Sequence, residues 1–191
     1  SYINQNYWGL YNLREKVSEN FIASKHNVNP NDVDMLELNG EVVDGDNQEY
    51  LELRSYIEQN DLSQSQSYNY VIDQIDIDNF MEYNIAQIYM DNRDYPGNNI
   101  KYWKVPGGKW RWVLYDTDFG FAGQWWSDWD QNYAYTFNTL DFVISGNQTT
   151  WANPQWATLF LRKLLQNLEF RNKFINRYAD EMNTRYLATN V

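Results

Sequence analysis

The sequence lacks cysteine, long apolar runs and an excess of basic residues, and each absence excludes a class of protein. Without cysteine it forms no disulfide and no thiolate metal site, and it suits either redox compartment. No run of about 18 apolar residues is present, so no transmembrane helix is predicted. The 15 basic and 26 acidic residues give a net charge of −11, which disfavours binding to nucleic acid or to anionic membranes.

The apolar content of the sequence is sufficient for one folded domain. Of its 191 residues, 43% are hydrophobic and 18% are aromatic, well above the level of a disordered chain. This length fits a single domain with a buried core over residues 1–191. Because the chain is acidic, an anionic substrate such as a nucleotide would need a local cation, most simply a metal ion.

Patterning in the first third predicts strands, short helices and a polar insertion. Two strand-like runs within residues 2–17 flank Asn4-Gln5-Asn6, which is typical of a hairpin turn. A helix is predicted over 18–24. Residues 27–67 are interpreted as a polar insertion, and their second half, 48–59, has the spacing of an amphipathic helix. The residues of this helix predicted to face inward are Leu51, Leu53, Tyr56 and Ile57.

The middle of the chain predicts a buried helix followed by a β-hairpin. Apolar spacing over 78–90 is that of a nearly buried helix, with Asp76 or Asp78 as its cap. Strands are predicted over 100–105 and 109–115. Pro-Gly-Gly between them is a strong turn signal.

The last third of the sequence is predicted to be helical. One helix is predicted to start at Asn153-Pro154 and a second to span 169–186, whereas residues 63–67 earlier in the chain are predicted to be a low-complexity loop. Strands in the earlier part and helices at the end are typical of an α+β fold.

The predicted hairpin places polar residues together at its open end. If Val105 faces Lys109 across the turn, Asn99 lies opposite Tyr115, within one residue of Asp116. The antiparallel arrangement therefore brings Asn99 and Asp116 side by side without any long-range assumption.

The order of the polar residues is that of a protein-kinase active site. Asp94 is followed after four residues by Asn99, then by the two predicted strands, and then by Asp116-Thr-Asp118-Phe-Gly120. Carboxylate and carboxamide oxygens suit Mg²⁺ or Mn²⁺, whose remaining positions are often filled by phosphates. In this interpretation Asp94 accepts or orients the proton of a substrate hydroxyl, while Asn99 and Asp116 hold the metal.

Simpler interpretations of these residues stay open. Asp94 lies in an Asp-Tyr-Pro-Gly sequence typical of a turn, and Asn99 could begin a strand. Asp116 and Asp118 could cap the next segment or bind calcium without catalysis. The lone His26 lies in a polar stretch typical of the surface, and without a His or Cys partner no serine triad is indicated.

Over its whole length the sequence resembles the CotH family, which is named after a spore-coat protein. The resemblance is specific and lies in six segments, namely Asn6–Lys16, Glu37–Asp46, Ile75–Met81, Asp94–Trp103, Trp110–Gly120 and Leu164–Phe174.

The resemblance implies an atypical protein-kinase-like fold, with a mostly helical C-terminal lobe and β-hairpins that form the metal and nucleotide site. It implies transfer of the γ-phosphate of ATP to Ser or Thr of a secreted or spore-coat protein, with Mg²⁺ or Mn²⁺ as the metal. The implied location is secreted, at the cell surface or in the spore coat.

The resemblance also assigns roles to residues. Asp94 matches the catalytic-loop acid, Asn99 its companion, and Asp116 the metal-binding acid. Asp118 is the second acid of the same Asp-x-Asp motif. We prefer Asp116 over Asp118 as the metal ligand because the hairpin register places Asp116 nearer Asn99.

One departure concerns the nucleotide. The segment 7–16 would correspond to the strand and hinge that flank the adenine, with Glu15 and Lys16 near the nucleotide. The sequence has no Gly-rich GxGxxG loop and no Val-Ala-Ile-Lys strand. No secretory signal is recognisable at its start, and we expect further N-terminal strands, which supply phosphate-binding basic residues in the family, to be missing from this chain.

A second function class is a non-catalytic module that binds carbohydrate or a coat protein. Trp125, Trp126 and Trp129 form an aromatic cluster, and exposed tryptophans stack on sugars. A glycosidase is not favoured, because no pair of carboxylates stands out at either separation that such enzymes need.

Overall fold

The computed structural model describes residues 2–7, 9, 15–121, 137–145 and 152–190, and this part is an α+β fold. A two-stranded hairpin is followed by a four-stranded antiparallel sheet and helices that cover both of its faces. The strands are β1 (Tyr2–Ile3), β2 (Asn6–Tyr7), β3 (Asp34–Glu37), β4 (Glu41–Asp44), β5 (Lys101–Lys104) and β6 (Arg111–Val113). The helices are α1 (Glu19–His26), α2 (Gln48–Gln59), α3 (Ser65–Gln74), α4 (Ile77–Tyr89), α5 (Thr139–Ile144), α6 (Leu159–Leu164) and α7 (Leu168–Met182).

The four-stranded sheet has the order β4-β3-β5-β6. In the β5–β6 hairpin Lys101 pairs with Val113 and Tyr102 with Trp112. This is the register that the Pro-Gly-Gly turn predicted, although both strands are shorter than expected. Continued beyond Lys101, the same register sets Asn99 opposite the residue that precedes Asp116.

The sheet separates two apolar clusters. Because side chains alternate between the faces of a strand, Tyr102 lies in the larger cluster, against helices α2, α3, α4, α6 and α7. Trp103 points to the opposite face and packs in a smaller cluster with Ile22 of α1, Val33 and Met35. The open end of the β5–β6 hairpin therefore extends from a sheet that is held on both faces.

Helix α4 is the central rod of the larger cluster. Eight of its residues are buried, as its apolar spacing predicted. The carboxylate of Asp76 accepts a hydrogen bond from the amide of Asn79 at 3.1 Å and caps the helix. The Asn79 side chain also bonds both backbone groups of Trp112 in β6. These contacts fix the helix against the hairpin that carries the candidate site.

The polar segment 27–67, interpreted from its composition as an insertion, is structurally part of the domain. It supplies β3, which pairs with β5 in the middle of the sheet, and α2, whose Leu53 and Ile57 are at most 2% exposed. Helix α2 has the predicted bounds, 48–59, but Leu51 is 41% exposed and faces outward. The interpretation of this segment as an insertion stays a prediction.

One predicted loop and one predicted helix start were wrong. Helix α3 begins at Ser65, inside the stretch that was predicted to be a loop. Its residues Ser65, Gln66 and Asn69 are exposed, while Tyr68 and Val71 are buried. Asn153-Pro154 lies in a turn, and helix α6 begins only at Leu159. The tryptophan cluster at 125, 126 and 129 lies outside the described residues.

Candidate functional site

The loop that follows α4 closes around Asp94. The Asp94 side chain is buried, with 8% of the residue exposed, and its Oδ2 accepts a hydrogen bond from Nδ2 of Asn99 at 3.0 Å. The backbone carbonyl of Asp94 accepts from the amide of Asn98 at 2.9 Å. Asp94 and Asn99, two of the four polar residues that the sequence predicted to converge, are thus in direct contact.

The segment after β6 lies beside the start of this loop. The amide of Arg93 donates to the carbonyl of Phe119 at 3.3 Å, and the amide of Phe121 donates to the carbonyl of Met90 at 2.5 Å. A Cβ atom on Gly120 would lie 3.0 Å from one backbone carbonyl oxygen and 3.1 Å from another. Glycine at this position therefore permits the close approach that brings the Asp-x-Asp motif to the Asp94 loop.

Two of the candidate metal ligands have left-handed backbone conformations. Asn99 and Asp116 both have a φ of 52°. Asn and Asp are among the few residues other than glycine that adopt this region readily. Such conformations concentrate at functional sites, where the surrounding structure holds them in place.

The carboxylates of Asp94, Asp116 and Asp118 are close enough to interact electrostatically. Burial raises the pKa of Asp94, and the negative charges of Asp116 and then Asp118 raise it further, while a hydrogen bond from Asn98 opposes them. Asp116 and Asp118 themselves are exposed. The Asp-x-Asp motif therefore has two solvent-accessible carboxylates whose charges raise the pKa of the buried carboxylate of Asp94.

The neighbouring Tyr115 experiences the same negative field. Burial raises its pKa to about 12, with contributions from the charges of Glu37 and Asp116. Lys101 forms an ion pair with Glu37 across β3 and β5, and its ammonium lies 5.7 Å from the centre of the Tyr115 ring. Tyr115 is therefore a neutral phenol beside the site at physiological pH.

The donor set fits a divalent metal that arrives with additional ligands. Among the described residues no three acidic, histidine or cysteine side chains are grouped closely enough to hold a metal ion by themselves. Mg²⁺, however, is usually bound by one or two carboxylates, with waters and substrate phosphates completing its octahedron. Asn99, Asp116 and Asp118 supply hard oxygen donors of this kind, and the net negative charge at Asp94 favours a cation.

A second set of contacts holds Asp91 and Arg93, which precede Asp94 in the same loop. Asp91 forms an ion pair with Arg93 at 2.8 Å and accepts a hydrogen bond from Thr139 of α5. The Arg93 guanidinium stacks 3.7 Å from the ring centre of Phe137. Burial nevertheless raises the pKa of Asp91, with Thr139 and Arg93 opposing the rise.

Sequence reasoning missed the polar side chains beneath the loop. The side chain of Asn92 accepts from the amide of Asp94 at 3.2 Å and donates to Gln87 of α4 at 2.8 Å. The hydroxyl of Tyr95 donates to Asn84 of α4 at 2.5 Å. The available signal was the presence of two amide residues, 84 and 87, within an otherwise apolar buried helix.

The two residues predicted to lie near the nucleotide are both exposed. The carboxylate of Glu15 forms an ion pair with Lys25 of α1 at 3.5 Å, and Lys16 is the next residue along the chain. Residues 10–14, which complete the predicted hinge, lie outside the described residues. A role for Glu15 and Lys16 in nucleotide binding stays a prediction.

Comparison with known proteins identifies the family. The family model described as CotH kinase protein matches residues 1–191, so the chain belongs to the CotH family. No curated protein and no solved structure matches the chain. Within the described ranges, each helix is too short or too polar to cross a membrane.

Proposed function

We propose, from the CotH membership and the geometry of the Asp94 loop, that the chain carries the catalytic loop and metal site of a protein serine/threonine kinase. The reaction is transfer of the γ-phosphate of ATP to a hydroxyl of a secreted or spore-coat protein. The observation that carries the proposal is the contact of Asp94 with Asn99 in a loop bonded along its backbone to the Asp-Phe-Gly segment.

In this proposal Asp94 accepts the hydrogen bond of the substrate hydroxyl and orients its oxygen toward the phosphorus. Its raised pKa makes it a stronger proton acceptor than an ordinary carboxylate. Its contact with Asn99 at 3.0 Å limits the directions in which the carboxylate can turn. Positioning of this kind accounts for much of the catalysis in phosphoryl transfer.

Asn99 and Asp116 would hold the divalent cation, with Asp118 as a further ligand. A bound Mg²⁺ or Mn²⁺ supplies electrostatic stabilisation of the charge on the phosphate oxygens. The exposure of Asp116 and Asp118 leaves their oxygens accessible from solvent. Glu15 and Lys16 are proposed to contact the nucleotide, and family membership supports a location in the spore coat or outside the cell.

The test is calorimetric titration with ATP in the presence and absence of Mg²⁺ or Mn²⁺. We expect binding that requires the metal in the wild type and is lost in Asp116→Asn, a variant that keeps the side-chain shape and tolerates the left-handed backbone. Asp73→Asn, which removes one exposed charge on α3, is the matched control and should bind as the wild type does.

A second arm separates binding from chemistry. Asp94→Asn should keep metal-dependent ATP binding but lose phosphate transfer to a seryl substrate by roughly 10²- to 10⁴-fold. If the folded wild type binds no ATP, the titration is repeated on a chain extended upstream. Absence of binding there too, together with glycan binding that depends on Trp125, Trp126 or Trp129, would replace the kinase proposal by the binding module.

A further inference from the structure

We propose that Gln87 and Asn84 of helix α4 are positioning residues that set the location of Asp94 through the residues on either side of it. The inference rests on the proposed function of Asp94. It extends the site from the loop into the buried helix α4. The side chain of Gln87 accepts a hydrogen bond from Asn92, which precedes Asp94, and the side chain of Asn84 accepts one from Tyr95, which follows it.

The first connection runs through Asn92. Its Nδ2 donates to Oε1 of Gln87 at 2.8 Å, its own amide donates to the Gln87 carbonyl at 3.2 Å, and its Oδ1 accepts from the amide of Asp94 at 3.2 Å. Asn92 is 1% exposed and Gln87 is fully buried. A shift of the Gln87 side chain is therefore transmitted to the backbone of Asp94 through one intervening residue.

The second connection runs through Tyr95, the residue directly after Asp94. Its hydroxyl donates to Oδ1 of Asn84 at 2.5 Å, and Nδ2 of Asn84 donates to the carbonyl of Phe80 one turn earlier at 2.7 Å. Tyr95 is 3% exposed and Asn84 is 4% exposed. Asp94 is thus held between two buried hydrogen bonds to one rigid helix.

A purely structural role explains these amides poorly. Replacing both partners of a buried hydrogen bond by apolar groups of the same shape can be nearly neutral for stability, so stability alone does not require Asn and Gln at these positions of a core helix. The Gln87 side chain also lies beside the Tyr83 hydroxyl. Its Oε1 is the atom that accepts the hydrogen bond from Asn92, so the acceptor is the group that reaches the Asp94 loop.

The experiment compares Gln87→Leu with Gln87→Glu. Leucine keeps a similar volume but removes the acceptor for Asn92, whereas glutamate keeps an oxygen at that position. Ile85→Val is the control, because it removes one methylene from a fully buried residue of the same helix without touching a polar contact. Each variant is measured for phosphate transfer and for hydrogen exchange of the backbone amides.

We expect Gln87→Leu to lower kcat roughly tenfold or more, since misplacement by about 1 Å can cost 10²-fold. The KM for ATP should change by less than about twofold, because the lost contact does not involve the metal ligands. The amides of Asp94 and Asn98 should exchange faster while those of α4 stay protected. Gln87→Glu should have the wild-type kcat and the wild-type exchange rates at Asp94 and Asn98. Ile85→Val should not lower kcat and should not accelerate exchange in the loop more than elsewhere.

Two outcomes would overturn the inference. Unchanged kcat and unchanged loop exchange in Gln87→Leu would show that the amide does not position Asp94, even though the wild type transfers phosphate. Equal loss of protection in the loop and throughout α4 would show a general loss of stability. If the wild type transfers no phosphate, the titrations described above decide the proposed function, and exchange at Asp94 decides separately whether Gln87 holds the loop.

Discussion

Metal and nucleotide should stabilise this protein only when they are present together. No three acidic side chains among the described residues are grouped as a complete metal site, so a metal ion alone lacks ligands that phosphate oxygens would add. ATP alone would meet the negative charges of Asp94, Asp116 and Asp118. Thermal unfolding is therefore measured with MgCl₂, with ATP, and with both.

The expected size of the effect follows from mass action and from chain length. A ligand at 100 times its Kd stabilises the folded state by about 2.7 kcal/mol. For a chain of 191 residues, each kcal/mol shifts Tm by roughly 2–4 °C. Mg²⁺ and ATP together should therefore raise Tm by roughly 5–11 °C, whereas each alone should raise it by about 2 °C or less.

Differential scanning calorimetry on the wild type, Asp116→Asn and Asp73→Asn measures these shifts. The combined shift should vanish in Asp116→Asn and persist in Asp73→Asn. An equal shift with MgCl₂ alone would show that the protein holds a complete metal site without phosphate. An unchanged combined shift in Asp116→Asn would show that the nucleotide binds elsewhere, and the reasoning from the hairpin end would be refuted.

Three further predictions concern stability. Lys104 is buried and paired with Glu49. Because the Glu49 side chain is 57% exposed, Lys104→Met should be within about 1 kcal/mol of neutral in urea unfolding, whereas Glu49→Gln, which leaves the buried ammonium without its counter-charge, should cost up to about 3 kcal/mol. Tyr95→Phe removes the hydrogen bond to Asn84 and leaves a buried acceptor, so it should cost about 1–3 kcal/mol in the same assay. Because the folded-state pKa of Asp94 is raised above its unfolded-state value, the wild type should lose stability relative to Asp94→Asn as pH rises from the ordinary carboxyl range toward neutrality; a difference that is constant between pH 3 and pH 7 would contradict this.

The sequence predicted well the features that local patterns determine. The bounds of α2 and the register of the β5–β6 hairpin follow from short-range spacing and turn chemistry, and the cap of α4 is Asp76, one of the two predicted candidates. The contact between Asp94 and Asn99 is also local, because only four residues separate them. The Asp-x-Asp motif lies beside the Asp94 loop, as predicted, because the β5–β6 hairpin brings the chain back to that loop.

Features that depend on tertiary packing were not predictable in the same way. Helix α3 consists mostly of polar residues. It is stabilised by the burial of Tyr68 and Val71 in the core, and this burial requires the other helices. Leu51 fits the apolar stripe of α2 but lies at the edge of the packed surface, with 41% exposed. The polar partners of Asp94 on α4 were overlooked because helical periodicity was read from apolar residues alone.

The central position of β3 has a consequence for the order of folding. Lys101 and Glu37, which pair across β5 and β3, are 64 residues apart in the chain, whereas the two hairpins close over short turns. Closing the longer loop carries about 1.5 kcal/mol more chain entropy than closing the β5–β6 hairpin. We therefore expect both hairpins to form before they join, so that substitutions at the β3–β5 seam accelerate unfolding more than they slow folding; kinetic measurements that show the opposite would place the seam in the folding nucleus. On this ordering, the Asp94 loop and the Asp-x-Asp motif meet early, before the sheet that supports them is complete.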